Sequence, residues 1–156
     1  MGCYLDIYKG FKEVDVTEEE LAKIYENPEE NVYGLLINEY LIVKLNGDVK
    51  DKFRWDGSKL IRLKNYKWKN TEMPKPLDNI QSCAYDALLN SDIKVICLIG
   101  KSGTGKTKTA LSVALELLKT KATYEKIILI RHAEETGRSI GFLPGTKIEK
   151  MDTFCG

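Results

Sequence analysis

IKVICLIGKSGTGKTKTALSVALELLKT, residues 93 to 120, decides how this chain is read. It opens with the apolar, β-rich stretch Ile93 to Ile99 and closes with a helical pattern running to about Thr120. Between them, Gly100-Lys101-Ser102-Gly103-Thr104-Gly105-Lys106-Thr107 fits the phosphate-loop pattern G-x-x-x-x-G-K-[ST] at every fixed position. A strand running in and a helix running out are the context such a loop requires. The spacing has a physical cause, because a triphosphate is a dense anion that needs many donors at short range. Gly100, Gly103 and Gly105 let the backbone turn its N–H groups onto phosphate oxygens. The helix start adds unpaired N–H groups and a partial positive charge. Lys106 is expected to reach the β- and γ-phosphates, and the Thr107 hydroxyl to hold Mg²⁺.

Working outward, Ala110, Leu111, Ala114, Leu115 and Leu118 give the helix an apolar stripe. Lys126 to Ile130, apolar at every position after the lysine, reads as a parallel strand buried on both faces. Strand, loop, helix and strand make the first βαβ unit of a P-loop nucleotide-binding α/β fold with a parallel sheet. Only residues 146–156 follow Gly145, and no apolar strand ending in Asp is present to organise Mg²⁺; Asp152 lacks such a strand before it. The expectation is therefore a parallel sheet cut short after its first βαβ unit.

Upstream, Met73-Pro74-Lys75-Pro76 opposes both helix and sheet and reads as a linker. Residues 1–73 then form a small α+β accessory region and residues 74–156 the start of the nucleotide-binding domain. In the accessory region a first strand ends at Val14 to Val16. Thr17 with Glu18, Glu19 and Glu20 forms an N-cap and capping box, opening a helix to about Glu26 that buries Leu21, Ile24 and Tyr25 and stops at Asn27-Pro28. Leu35 to Leu45, a turn at Asn46-Gly47, Val49 to Trp55, a turn at Asp56-Gly57, and Lys59 to Leu63 predict three antiparallel strands. After the linker, Asp78 caps a helix to about Asn90 with Ile80, Ala84, Ala87 and Leu88 on one face.

Composition narrows the classes. The chain has 156 residues, 43% of them hydrophobic, and a net charge of +1. Cys3, Cys83, Cys97 and Cys155 form no C-x-x-C pair and His132 is the one histidine, so a zinc site is not expected. Cys97, in the apolar stretch, reads as a small core residue. No run is long enough to cross a bilayer, and the N-terminus lacks a signal-like apolar region. Asp6 stands where a myristoylation motif wants Ser or Thr. A cytoplasmic protein with reduced thiols follows as the expectation.

From Asp78 onward the chain resembles the PhoH family of P-loop ATPases. The resemblance rests on residues 96–119 (ICLIGKSGTGKTKTALSVALELLK), residues 125–131 (EKIILIR), residues 137–145 (GRSIGFLPG, against a family G-E-x-x-G-F-L-P-G) and Glu149-Lys150-Met151. The earlier stretch G-F-K-E-V-x-V-T-E-E-E-L and Asn38-Glu39-Tyr40 are similar, more loosely, to the region before the ATPase core in the subgroup often fused to a PIN nuclease domain. Departures are His132 after Arg131 where the family usually has Pro, Arg138 for the signature Glu, and Asp78-Asn79-Ile80-Gln81 keeping only the Gln of N-x-E-Q. The D-E-A-Q segment is absent.

The resemblance implies a RecA-like or superfamily-one-helicase-like sheet. It implies ATP with Mg²⁺ as cofactors, ATP hydrolysis coupled to remodelling of RNA or single-stranded DNA, and rings of like subunits. It points to Gln81 as the adenine reader, whose amide matches the N6/N7 edge; the alternative is a surface helix residue. Arg131 is either a phosphate contact or a strand-end ion pair. Residues Thr136 to Gly145 either meet single-stranded nucleic acid, with Arg138 on phosphate and Phe142 on a base, or form a lid with Phe142 packed inward. Lys59, Arg62, Lys64, Lys67 and Lys69 with Tyr66 and Trp68 read first as a solvated face and second as a nucleic-acid surface. Two functions stand side by side: an ATPase, and a nucleotide-binding module without turnover that acts with a second chain carrying the rest of the sheet. A small-molecule kinase has no visible acceptor site.

Overall fold

The computed structural model describes residues 8–64, 74–120 and 124–130. The chain forms two compact units, Met1–Lys126 and Ile127–Gly156. The first unit contains β1 (Phe11–Asp15), α1 (Glu18–Glu26), β2 (Tyr40–Leu45), β3 (Asp48–Trp55), β4 (Leu60–Arg62), α2 (Asn79–Leu89) and α3 (Lys106–Thr120).

The strands form one four-stranded sheet in the order β1-β2-β3-β4. The hairpins expected from the turn residues are present. Asn46 (φ 55°) and Gly47 (φ 83°) both occupy the left-handed region that a two-residue hairpin turn demands, and Leu45 pairs with Asp48 across it. Asp56 closes the next turn, its carboxylate accepting the N–H groups of Ser58 and Lys59, each at 2.8 Å. Those amides hold the Asp56 carboxyl below its usual range. The sheet departs from three antiparallel strands in one respect. β1 pairs with β2 in parallel, Phe11 opposite Tyr40, so β1, α1 and β2 make a small crossover unit. β2 also starts later than its apolar run: Asn38 sits at φ 66°, which breaks the strand direction, and Leu36 and Ile37 lie exposed in the turn.

The sheet is covered on both faces by the period-2 alternation of β2 and β3. Leu41, Val43, Phe53 and Trp55 face α1 and join Leu21, Ile24, Val16 and Leu35 in one core. Tyr40 and Ile42 face the other way and join Cys83 and Ala87 of α2, with Ile93 and Ile96 packed alongside. Leu41, Ile42 and Val43 are fully buried; each side chain so removed from water contributes about 1.5–3 kcal/mol. Tyr25, expected inside, sits at the rim. Its ring meets Phe53 edge-on at 5.8 Å, and its hydroxyl donates to Asp51, which also pairs with Arg62 at 2.8 Å.

Several expectations for the second half are corrected. The segment 93–99 makes no strand ladder among the described residues, and neither does 124–130, so the sheet observed among them is the mostly antiparallel one of residues 11–62. A parallel strand needs a hydrogen-bonded neighbour and covering helices. Here Ile93 and Ile96 instead lean on the accessory sheet, while Val95 and Ile99 stand 82% and 93% exposed. Cys97 is exposed, not in a core; of the two described cysteines Cys83 is the buried one, and burial pushes its thiol up to about 12. On α2 the buried residues are Cys83, Tyr85 and Ala87, with Ile80 exposed. On α3, which packs against α2, they are Thr109, Val113 and Glu116, leaving Leu111 and Leu115 on the outside. The partner surface, not the densest apolar stripe, decides which face turns in. Among the described residues no helix is long and apolar enough to cross a membrane.

Candidate functional site

The loop from Gly100 to Gly105 leads directly into α3. Gly103 (φ 80°) and Gly105 (φ 81°) hold left-handed backbone that an L side chain rarely adopts. At Gly100 the constraint is closeness: a Cβ there would stand 3.3 Å from Thr104 Oγ1. The loop is braced internally, Thr104 Oγ1 donating to the Lys101 carbonyl at 2.9 Å.

Lys106 lies folded back over this loop. Its Nζ donates to the carbonyls of Gly100 (2.8 Å) and Lys101 (2.6 Å) and, at 3.4 Å, to Thr104 Oγ1. These are neutral oxygens, so the ammonium has dipoles around it and no formal counter-charge among the described residues. Helix α3 starts immediately beyond. Among the described residues no side chain caps it; no acidic residue lies in its first turn, and Gly105 before it has no side chain to offer. Its first N–H groups therefore lack intrahelical partners at the place where Lys106 and exposed Lys108 add positive charge. Exposed Thr107 holds the second helical position. Among the described residues no group of three or more His, Cys, Asp or Glu could hold a metal ion. The exposed Thr107 hydroxyl is a hard oxygen donor of the kind a Mg²⁺ ion accepts.

Gln81 is brought to this loop by α2. Asp78 caps the helix, accepting the Gln81 N–H at 2.7 Å. The Gln81 side chain bridges two segments: Oε1 accepts the Leu77 N–H at 2.8 Å, and Nε2 donates to the Thr104 carbonyl at 3.4 Å. A primary amide has two N–H groups and two acceptor lone pairs. One of each is used here, and one of each is left for a ligand. Gly100, Lys101, Ser102, Gly103, Thr104, Gly105, Lys106, Thr107 and Gln81 thus lie together. Arg131, His132, Thr136 to Gly145, and Tyr66, Lys67, Trp68 and Lys69 lie outside the described residues.

A polar cluster that the sequence did not advertise joins α2 to the sheet. Asp86 accepts from the Tyr40 hydroxyl at 2.9 Å and from Arg54 Nε at 3.1 Å; Arg54 Nη1 donates to Asn38 Oδ1 at 3.1 Å. Burial, and then the adjacent Asp86 charge, push the Tyr40 phenol well above its ordinary range, so it remains a donor. The available signal was the Asn38-Glu39-Tyr40 string. Glu39 completes it: buried, it accepts the Leu36 N–H at 2.8 Å.

Residues 74–156 match the family model described as PhoH-like protein. Protein PhoH2 of Bacillus subtilis (strain 168) is 28% identical over 158 residues, covering 94% of this chain and 35% of that protein. Protein PhoH2 of Mycolicibacterium smegmatis is 38% identical over 72 residues, 46% of this chain and 16% of the relative. The PhoH-like protein of Mycobacterium leprae is 50% identical over 56 residues, 36% of this chain and 16% of the relative. The chain therefore spans about a third of the first of these relatives and less of the others. No solved structure matches it. With more than half of its length covered by that family model, the chain belongs to the PhoH-like protein family.

Proposed function

We propose that residues 100–107 bind the triphosphate of ATP with Mg²⁺, and that Gln81 selects adenine. The observation that carries this reading is the acid-free start of α3, uncapped among the described residues, with Lys106 held over it by the neutral carbonyl oxygens of Gly100 and Lys101. In the binding step, phosphate oxygens displace the Gly100 and Lys101 carbonyls from Lys106 and meet the free N–H groups of the helix start. Exchanging dipoles for a formal anion turns neutral contacts into charge-assisted ones, which are roughly twice as strong. Thr107 supplies a hydroxyl to the metal, and Gln81 offers its remaining donor and acceptor to the N6/N7 edge of the base. Mg²⁺ when bound draws charge from the β- and γ-oxygens, and Lys106 and the loop amides would stabilise the same charge as it grows during water attack. Arg131 is proposed as an auxiliary phosphate contact. Hydrolysis would be coupled to remodelling of RNA or single-stranded DNA, in the cytoplasm, within the RecA-like architecture of P-loop ATPases.

Calorimetry with ATP and Mg²⁺ on the full chain tests the binding step. Replacing Lys106 by Ala removes charged hydrogen bonds worth about 1.5–3 kcal/mol, so affinity is expected to fall on the order of 10- to 100-fold. Equal affinity in the wild type and Lys106→Ala would sink the proposal.

A second reading is favoured by the apolar side chains of Val95 and Ile99 before the loop and Leu111 and Leu115 on α3, which stand exposed. Such surface suits coverage by another sheet segment, from a second copy in a ring or from a complementary chain. In that case the isolated chain binds nucleotide without turnover. Phosphate release by the isolated chain at a rate unaffected by Lys106→Ala would exclude turnover at this loop; release abolished by Lys106→Ala would exclude the module reading.

A further inference from the structure

The polar cluster around Asp86 uses two residues of the sheet, Tyr40 and Arg54, to hold one helix. Tyr40 and Arg54 are register partners on neighbouring strands, so their side chains leave the same sheet face side by side. Both converge on Asp86 Oδ2, at 2.9 and 3.1 Å. The Arg54 and Asp86 side chains keep only 12% and 13% of their accessibility. Arg54 is itself aimed by Asn38, which sits at φ 66° and donates its own N–H to the Trp55 carbonyl at 2.7 Å. Nearer the start of α2, Lys52 Nζ donates to Asn79 Oδ1 at 3.2 Å. The sheet thus grips α2 on either side of Gln81, the one residue of that helix whose side chain bonds to the phosphate loop.

Ion pairs shielded from water are a weak source of net stability, since desolvation cancels much of the attraction. What they supply is direction. Two donors from different strands meeting one carboxylate oxygen fix the rotation of α2 about its own axis, which apolar contacts with Cys83 and Ala87 leave softer. At the roughly 5–6 Å radius of a helix with its side chains, a 20° rotation moves a side-chain amide by about 2 Å. That is enough to break a hydrogen bond.

We infer that Tyr40 and Arg54 are positioning residues for base selection: acting through Asp86, they set Gln81 where it can discriminate adenine. The inference rests on the reading of Gln81 proposed above. It gives the accessory sheet a part in nucleotide specificity without touching the nucleotide.

The test compares binding of ATP, GTP and inorganic tripolyphosphate, each with Mg²⁺, to the full chain and to Gln81→Ala, Arg54→Met and Tyr40→Phe. Tripolyphosphate has no base, so its affinity reports on the loop and on folding. Gln81→Ala is expected to lose the preference for ATP over GTP by about tenfold, the worth of a neutral hydrogen bond or two. Arg54→Met and Tyr40→Phe are expected to lose a substantial part of the same preference with tripolyphosphate binding unchanged. Tyr40→Phe keeps the buried ring and removes only the hydroxyl, so the fold is not at stake in that variant. A wild-type ATP-to-GTP ratio in both variants overturns the inference. Equal weakening of all three ligands also overturns it, because that is what general loosening would produce. A wild type that binds tripolyphosphate but prefers neither nucleotide defeats the reading of Gln81 itself.

Discussion

Helices α1 and α3 begin under the same backbone physics and resolve it in opposite ways. α1 satisfies its own first turn. The Thr17 hydroxyl accepts the Glu20 N–H at 3.3 Å, the Glu20 carboxylate accepts the Thr17 N–H at 2.8 Å, and Glu18 and Glu19 add negative charge to the positive end of the helix. α3 has no cap side chain among the described residues and no acid in its first turn; glycine precedes it and lysines occupy that turn. The first helix is complete as it stands, whereas the first N–H groups of the second have no side-chain partner among the described residues. A helix start that forgoes about 1 kcal/mol of available capping is where a ligand anion would restore the balance.

The contrast can be broken from the side of α3. Gly103 holds φ 80° with open space where a Cβ would be, so a substitution there strains the backbone without a clash. Such strain costs of order 1–3 kcal/mol for a non-glycine residue. Gly103→Val is therefore expected to weaken ATP binding by roughly 5- to 100-fold, while thermal unfolding of the sheet, followed by circular dichroism, stays put. An unaltered affinity would mean that the glycine geometry does not serve the ligand.

A smaller change makes α3 resemble α1. Lys108 occupies the position in α3 that Glu20 occupies in α1, and it is exposed. Lys108→Glu exchanges a favourable charge near a bound phosphate for an unfavourable one, while giving the helix dipole the acid it lacks. At about 0.3–1 kcal/mol for each charge near a helix end, ATP affinity should drop roughly threefold to tenfold, less so in high salt, and thermal stability should hold or rise. Loss of affinity together with stability would show that the site and the helix start are not in opposition.

How much of this was legible in the sequence follows the range of the interaction involved. The α1 capping box, the Asn46-Gly47 turn and the start of α3 at Lys106 are each decided within a few residues, and each stands where the pattern put it. The parallel pairing of Phe11 with Tyr40 joins residues far apart in the chain, and no local signal marks it. A count of apolar side chains turns Leu111 and Leu115 of α3 inward. Against α2, however, Thr109 and Glu116 turn in with Val113, and Leu111 and Leu115 do not. The segment around Cys97 reads as a buried strand by composition, but a strand exists only through its neighbours. Asp86 escaped notice since a lone carboxylate in a helix resembles any solvated residue; its meaning comes from Tyr40 and Arg54 on other elements.

The mildest way to sharpen the comparison is by acid. The Thr17 N–H, and then its hydroxyl, hold the Glu20 carboxyl below the usual glutamate range. In the folded chain Glu20 therefore gives up its proton at lower pH than in the unfolded chain, and between the two values the unfolded state binds more protons. Stability from this group is fully present above the ordinary glutamate range and is lost as pH falls through the lowered folded value. Asp56 is lowered by its own turn amides and acts in the same direction, so the wild-type loss on acidification combines both. Glu20→Gln removes one contributor. The variant should be slightly less stable near neutrality, and its midpoint temperature should fall less steeply than the wild type's as pH drops below the glutamate range. α3 has no first-turn carboxylate, so no matching titration is expected at its start. Parallel stability profiles for the wild type and Glu20→Gln across that range would show that α1 does not rely on its carboxylate, and the distinction between a self-sufficient helix start and a ligand-dependent one would then rest on Thr17 alone.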